Sequence, residues 1–368
     1  MVYFCCTKNH TPRRLAIRYD TKLDFTGQQI YVGLDIHKKS WSVSIYSEQS
    51  EHKTFTQPPA VDKLVYYLRR HFPGATYHSV YEAGYSGFWI HDQLRQQGVR
   101  CVIVNPGDVP TKGKERAGKT DRVDCRKLAR GLRSGELEGI YVPPRAKVED
   151  RSLVRTRQSM VRKQTRCKNQ IKSILLFYGI CLPEKGRWSK RFINWIETVR
   201  MEKASGDLTL RVHLEELYHL RQIIADLNRA ILALSRTDEY RSAVELLKTV
   251  PGIGPLGAMV LLTELYDISR FGSLDKLSSY VGLIPDTDSS GEKEHQGGIT
   301  KRRNVILRSL LIEAAWMAAA KDPALMMVFH RLCLRMRKTK AIVHIARKLL
   351  NRVRYVLKNQ KPYVLATV

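Results

Sequence analysis

The sequence predicts an α/β domain built on a mixed sheet, followed by a largely α-helical remainder. Three observations predict it. Between residues 30 and 104, short apolar runs of strand period alternate with helical periods in the order β-β-α-β-α-β. Beyond Arg145 the apolar residues recur at helical spacing. Acidic residues stand at the ends of predicted strands beside turns, as in α/β sheets that carry their sites at the carboxyl edge.

Residues 1–28 are polar and basic without a clear period and read as an extension, in which Lys8, Arg13, Arg14 and Arg18 could touch a phosphate backbone. Ile30 to Ile36 alternates as a strand with Asp35 near its end. His37-Lys38-Lys39-Ser40 then turns the chain into a second strand, Trp41 to Tyr46. A helix is predicted over Val61–Arg70, and a strand over Tyr77–Tyr81 ending at Glu82. A second helix follows from about Phe88 to Gln97, and a short buried strand over Cys101–Val104.

Thr120 is a predicted N-cap, and Lys127-Leu128-Ala129 favour a helix behind it. Asp121 and Asp124 then share one helix face. Two such carboxylates repel unless a cation lies between them, and a hard divalent cation, Mg²⁺ or Mn²⁺, is the usual solution. A solvated turn at the positive end of a helix is the plainer reading of these two acids alone. Asp35 and Glu82 make four acids that could converge on one metal site, since a buried acid without a partner is costly.

The remainder reads as a basic helix and heptad segment over 146–240 and a helical domain over 241–368. From Arg145 to Lys172 the chain is dense in Lys and Arg, against only Glu149 and Asp150. Arg155, Arg162, Lys163 and Arg166 lie on this helix as candidates for phosphate contact. Residues 181–206 read as a connection with a short amphipathic helix, holding Trp188 and Trp195. Leu217, Leu220, Ile224, Leu227, Ile231 and Leu234 alternate steps of three and four, an apolar seam. The seam fits either an antiparallel helical hairpin or a coiled coil between protomers.

Val250-Pro-Gly-Ile-Gly-Pro255 turns between two helices and resembles a helix-hairpin-helix element, with Gly252 and Gly254 either meeting a phosphate through the backbone or simply making a tight turn. After a helix over Phe271–Tyr280, residues 286–304 read as a long polar loop. It could present Ser290, before Gly291, at an exposed turn, with Lys301, Arg302 and Arg303 nearby to offset phosphate charge. Helices resume beyond Asn304 and carry further basic residues.

Charge narrows the function. The 368 residues hold 63 Lys and Arg against 35 Asp and Glu, a formal net charge of +28, which points to nucleic acid as the partner. No apolar run approaches the roughly 18 residues of a membrane span, and no signal-peptide core opens the chain. Seven cysteines without a repeated spacing suit reduced thiols in a cytoplasmic protein, and none clusters with histidines at zinc spacing.

Five segments together carry a resemblance: Tyr-Val-Gly-Leu-Asp35, Tyr-Glu82-Ala-Gly, Lys-Thr-Asp121-Arg-Val-Asp124, Val-Pro-Gly-Ile-Gly254-Pro, and Gly-Leu-Ile-Pro285 running to Ser290-Gly and Gly-Gly-Ile-Thr-Lys-Arg. In this order they resemble the DEDD-type insertion-sequence transposases of the IS-one-ten group, bridge-RNA-guided DNA recombinases, from about residue 29 to the C-terminus. The resemblance implies a RuvC-like domain of RNase H fold over 29–145, with Asp35, Glu82, Asp121 and Asp124 holding Mg²⁺ or Mn²⁺. It also implies a coiled-coil segment and a helical transposase domain with a nucleophilic serine. That serine lies five residues after Pro285, which selects Ser290, with Ser289 its neighbour. Donor and target DNA, a guide RNA and a homo-oligomer, dimeric or tetrameric on DNA, are the implied partners, in the cytoplasm of a bacterium or archaeon and at the nucleoid when acting. Lys119 and Arg122, beside the acid pair, join the nucleic-acid contacts. Two other readings compete: a metal-dependent nuclease or junction resolvase without covalent serine chemistry, and a non-catalytic nucleic-acid-binding scaffold.

Overall fold

The computed structural model describes residues 24–110, 120–290 and 293–365, with backbone alone at the tip of the hairpin near Ser290. Most of the predicted N-terminal extension and Lys119 lie outside the described residues. The chain divides into two compact units, Met1–Val142 and Pro143–Val368.

In the first unit, β1 (Gln29–Ile36), β2 (Trp41–Tyr46), β3 (Glu51–Gln57), β4 (Thr76–Glu82) and β5 (Arg100–Val104) form one sheet in the order β3-β2-β1-β4-β5. β1 pairs antiparallel with β2 and parallel with β4, and β4 pairs parallel with β5. Helices α1 (Val61–His71) and α2 (Trp89–Gln96) supply the crossovers. The mixed sheet matches the predicted element order, with β3 added. That strand, Glu51-His-Lys-Thr-Phe-Thr-Gln, has no apolar alternation because it is a solvated edge.

Alternation along β1 sorts its side chains onto two faces. Ile30, Val32 and Leu34 point into a core with Leu64, Leu68, Ile90 and Leu94 of α1 and α2. Gly33 and Asp35 face the other way, toward α3 (Asp121–Ser134). Val80 of β4, opposite Gly33, packs on that same side with Leu128 of α3 and Val104. The sheet and α3 touch at Gly33, where an added Cβ would lie 2.0 Å from the Cys125 carbonyl oxygen and 2.5 Å from the Ala129 nitrogen. Only a residue without a side chain allows this approach.

In the second unit, α4 (Arg145–Phe177) and α6 (Ala204–Leu234) run antiparallel, with α5 (Lys190–Thr198) beside them. Cys167 Sγ lies 3.3 Å from the His213 carbonyl oxygen, and Arg157 Nε donates to Asn228 Oδ1 at 2.6 Å farther along the pair. Leu210, Leu214, Leu217 and Leu220 close on Cys167, Ile171 and Leu175. Leu217 and Leu220, the first two residues of the apolar seam, are therefore used within the chain, in a helical hairpin. Ile231, farther along α6, enters a different core. There it meets Val154 and the helices α7 (Arg241–Lys248), α8 (Pro255–Leu265), α9 (Leu274–Val281), α10 (Val305–Lys321), α11 (Pro323–Cys333) and α12 (Lys338–Asn359).

The expected loop over 286–304 is instead largely a β-hairpin, β6 (Pro285–Ser290) and β7 (Lys293–Ile299), paired from Pro285–Ile299 to Ser290–Lys293. Both strands are mostly polar in sequence and so lack the apolar alternation that marks a strand.

Gly33→Ala should destabilise the protein by on the order of 3 kcal/mol, because backbone atoms rather than a flexible side chain oppose the new methyl. A thermal melt with a Tm within a degree of wild type would show that α3 can shift without strain.

Candidate metal centre and nucleic-acid interface

The acids meet for backbone reasons. Asp35 falls two residues after Gly33, on the face covered by α3, and Glu82 occupies the next register position on β4 after the Leu34–Tyr81 pair. Thr120 Oγ1 accepts from the Val123 amide at 3.4 Å and starts α3 as the sequence predicts, which sets Asp121 and Asp124 in the first turn. Helix α3 runs back along the sheet: Cys125 and Ala129 lie over Gly33, and Arg126 reaches Glu51 on β3 at 2.8 Å. Its acidic first turn therefore arrives at the carboxyl ends of β1 and β4.

His37 joins these acids, and the sequence reading took it for a turn residue. Its Nε2 lies 3.2 Å from Asp35 Oδ2 and 3.5 Å from Asp121 Oδ2. Ligand atoms of Asp35, His37 and Asp121 all fall within 4.8 Å of one another, the one such group among the described residues. The carboxylates of Glu82 and Asp124 are not part of it. Burial raises the Asp35 pKa above the ordinary carboxylate value; Asp121 and Asp124 push the same way, and His37 opposes them. A carboxylate so destabilised gains from a cation, and the hard oxygens of Asp35 and Asp121 fit Mg²⁺ or Mn²⁺. Cys125, beneath them, is held neutral: burial first, then the Asp35 charge, push its thiol up to about 12.

Tyr85 is a second residue that the sequence reading passed over. Its hydroxyl donates to the Ile36 carbonyl at 3.2 Å, and Lys38 lies 6.0 Å from the ring centroid. The ring is 62% exposed, at the rim of the acidic edge.

Ser290 ends β6 and pairs with Lys293 across the tip of the hairpin. The base of that hairpin is fastened by backbone and buried side chains. Thr300 N donates to the Ile284 carbonyl at 3.1 Å, and Arg308 Nη1 donates to the Gly282 and Thr300 carbonyls at 2.9 and 2.8 Å. Gly282, at φ +82°, sits where a Cβ would strike Arg303.

The predicted phosphate contacts separate into two kinds. Arg122, Arg162, Lys163, Arg166, Lys301, Arg302 and Arg303 are exposed. Arg155 is exposed as well, at 47% of its side chain, but its guanidinium is committed to a partner. Its guanidinium binds the fully buried Glu264 through two bonds of 2.6 and 2.8 Å, and Asn304 Nδ2 adds a third at 2.8 Å. A buried carboxylate demands such partners, and Glu264 lies too far along the chain for spacing to reveal the pair. Gly252 is likewise a packing residue: at φ +86°, its Cα abuts the Ala314 backbone, where a Cβ would lie 2.5 Å from the carbonyl oxygen. Gly254 caps α8 with open space around it.

Asp35 titrates above its ordinary value in the folded chain, so ionising it costs more folded than unfolded. Metal-free protein therefore loses stability as pH rises from the unfolded value, near about 4, through the raised one. Asp35→Asn should raise the metal-free Tm at neutral pH, not at pH about 3, and abolish the Tm gain that Mn²⁺ gives wild type. An equal Mn²⁺ shift in both proteins would remove Asp35 from the centre. Arg155→Ala should cost on the order of 3 kcal/mol in denaturant unfolding by stranding Glu264, whereas Arg162→Ala should change stability by less than about 0.5 kcal/mol. Equal stabilities would show that Glu264 does not depend on Arg155.

Two family models match the chain. One, a DEDD transposase model, covers residues 32–180, and the other, described as Transposase IS116/IS110/IS902 family, covers residues 244–330. Among relatives, the transposase-like protein y4qE of Sinorhizobium fredii is 31% identical over 64% of this chain and 57% of its own length. The transposase for insertion sequence element IS1111A of Coxiella burnetii is 29% identical over 59% of each chain. The match thus spans under two thirds of both proteins. The pilin gene-inverting protein of Moraxella lacunata is 26% identical over 90% of this chain and 97% of its own. With its acidic sheet edge inside the first matched region and its serine hairpin inside the second, the chain belongs to the IS116/IS110/IS902 family of insertion-sequence transposases.

Proposed function

We propose that this protein is an RNA-guided DNA recombinase that moves an insertion sequence by cutting and rejoining strands through a covalent phosphoserine. The observation that carries the reading is the meeting of Asp35, His37 and Asp121 at one sheet edge, with Glu82 and Asp124 on the same face. The matched DEDD model, over residues 32–180, spans all four acids and supports the use of a divalent metal here. In this reading Asp35, Glu82, Asp121 and Asp124 hold the cation, Mg²⁺ or Mn²⁺, and His37 orients Asp35 and Asp121. A cation there would neutralise charge on the scissile phosphate and its leaving oxygen.

Ser290 is the nucleophile. Its Oγ bonds to phosphorus while the bond to a deoxyribose oxygen breaks, and the serine proton ends on that leaving oxygen. One ester replaces another, so rejoining is the same exchange in reverse and needs no ATP. Arg122, Arg162, Lys163, Arg166, Lys301, Arg302 and Arg303 hold backbone, and pairing with a guide RNA reads sequence, which suits a basic protein without an evident base-reading element. The Moraxella relative is named for inverting a gene. Inversion leaves every cut end rejoined, which favours strand exchange over hydrolysis here.

The protein works as a homo-oligomer, a dimer that becomes a tetramer on DNA, with acids and serine supplied by different protomers. The paired helices α4 and α6 serve as the coiled-coil segment, and the first unit is the RuvC-like domain of RNase H fold. Donor and target DNA and a non-coding RNA are its partners, in the cytoplasm. Among the described residues no helix is long and apolar enough to cross a membrane.

Incubation with flanking RNA, Mg²⁺ and labelled element-end DNA, followed by denaturation, should leave a labelled protein band. Ser290→Ala should abolish it and Asp121→Ala should reduce it on the order of a hundredfold or more. A band persisting in Ser290→Ala would move the nucleophile, with Ser289 next; cleaved DNA without any band would establish the resolvase reading instead.

A further inference from the structure

Helix α12 turns two faces to two environments. Ile342, Ile345, Ala346, Leu349, Leu350 and Val353 are buried in the core. Lys340, His344, Arg347 and Lys348 stand at i, i+4, i+7 and i+8 on the opposite side. Between that side and the base of the β6–β7 hairpin lies a cavity of about 570 Å³. Its apolar wall is Ile284, Pro285, Ile299 and Val343, and its rim is Lys340, His344 and Arg347; no acid lines it among the described residues. A second cavity, of about 540 Å³, continues past His344 and Arg347 along the helix to Asn351 and Arg352. Among the described residues two carboxylates pair with the basic residues of the trough: Asp275, 2.5 Å from Arg347, and the buried Asp322, 3.8 Å from Arg352 at the far end. The positive field at the rim is visible on His344, whose pKa is lowered by burial first and then by Lys340, Arg347 and Lys348.

Apolar wall and cationic rim suit different parts of one ligand. A base or sugar lies against Pro285, Ile299 and Val343, while phosphates meet Lys340 and Arg347. The volume accepts a nucleotide but not a duplex. A stacked duplex would also leave the apolar wall uncovered, because its bases are turned inward. Ile299 and Gly298 belong to β7, the strand that pairs with the Ser290 strand.

We propose that this trough binds an unpaired segment of the DNA strand that passes the hairpin, with one unstacked nucleotide seated in the 570 Å³ cavity. The assignment to the strand being cut rests on the serine reading above; the binding of single-stranded DNA does not.

The test uses the full-length protein and fluorescein-labelled oligothymidine, with a duplex of equal length alongside. Lys340→Ala combined with Arg347→Ala should weaken single-strand binding about tenfold, lower the salt slope by about two, and affect duplex binding far less. Because Arg347 also pairs with Asp275, Lys340→Ala with His344→Ala serves as a second variant that keeps that pair. Arg331→Ala with Arg335→Ala, an equal loss of charge outside the trough, is the control. Equal losses in trough and control variants, or equal losses for single strand and duplex, would overturn the proposal.

Photo-cross-linking of 5-iododeoxyuridine placed along an element-end strand locates the seat. Attachment within 338–350 is expected from positions beside the cut, and attachment there from no position would overturn the seat. If the serine reading alone fails, the phosphoserine band is missing while the binding loss and the cross-link remain.

Discussion

The close approach of α3 to β1 at Gly33 is the constraint on which the acidic edge depends. Strand alternation sends Asp35 to the same face as Gly33, and the absent side chain lets the helix backbone settle onto the strand. With α3 fixed there, its capped first turn has one place to go, the carboxyl ends of β1 and β4. The attraction that the site lacks in itself is supplied by packing elsewhere: Leu128 against Val80 and Val104, and Arg126 against Glu51 and Thr54. A cluster of carboxylates repels itself, so it must be imposed by contacts outside it. His37 relieves part of that repulsion by lying between Asp35 and Asp121.

The second unit solves a different problem. A two-stranded polar hairpin has no core of its own, and its position must come from its base. Arg308, Thr300 and Asn304 supply that base, and Asn304 is tied through Glu264 to Arg155 on α4. One buried carboxylate thereby connects the long basic helix to the start of α10, whose first amides Asn304 also caps. Such a pair adds little net stability over apolar packing, yet breaking it strands a charge, so it fixes geometry more than it strengthens the fold.

The charge of +28 is distributed with purpose. Some of it is committed within the fold, as Arg155 and Arg308 show. The rest lies on solvated faces of α4, beyond β7 and along α12, where it has few acidic neighbours and can follow a phosphate backbone. Counting basic residues finds the second kind of arginine and mistakes the first for it. Burial of the partner is what separates them.

The sequence by itself determined the element order of the sheet, the capped start of α3 at Thr120 and the two faces of α6. These are local properties, written in periodicity and in residues a few positions apart. It also exposed Asp35, Glu82, Asp121 and Asp124 as acids in suggestive places. Only the tertiary structure decided that Asp35 and Asp121 meet through His37, that the expected loop at Ser290 is a hairpin, that β3 is a strand, and that Arg155 and Gly252 serve packing. The meeting at His37 and the packing of Arg155 and Gly252 rest on partners far along the chain, Asp121, Glu264 and Ala314, whereas the hairpin and β3 pair with near neighbours but carry no apolar alternation. A linear pattern carries the preferences of a residue for its neighbours in sequence, while burial and close approach are properties of neighbours in space.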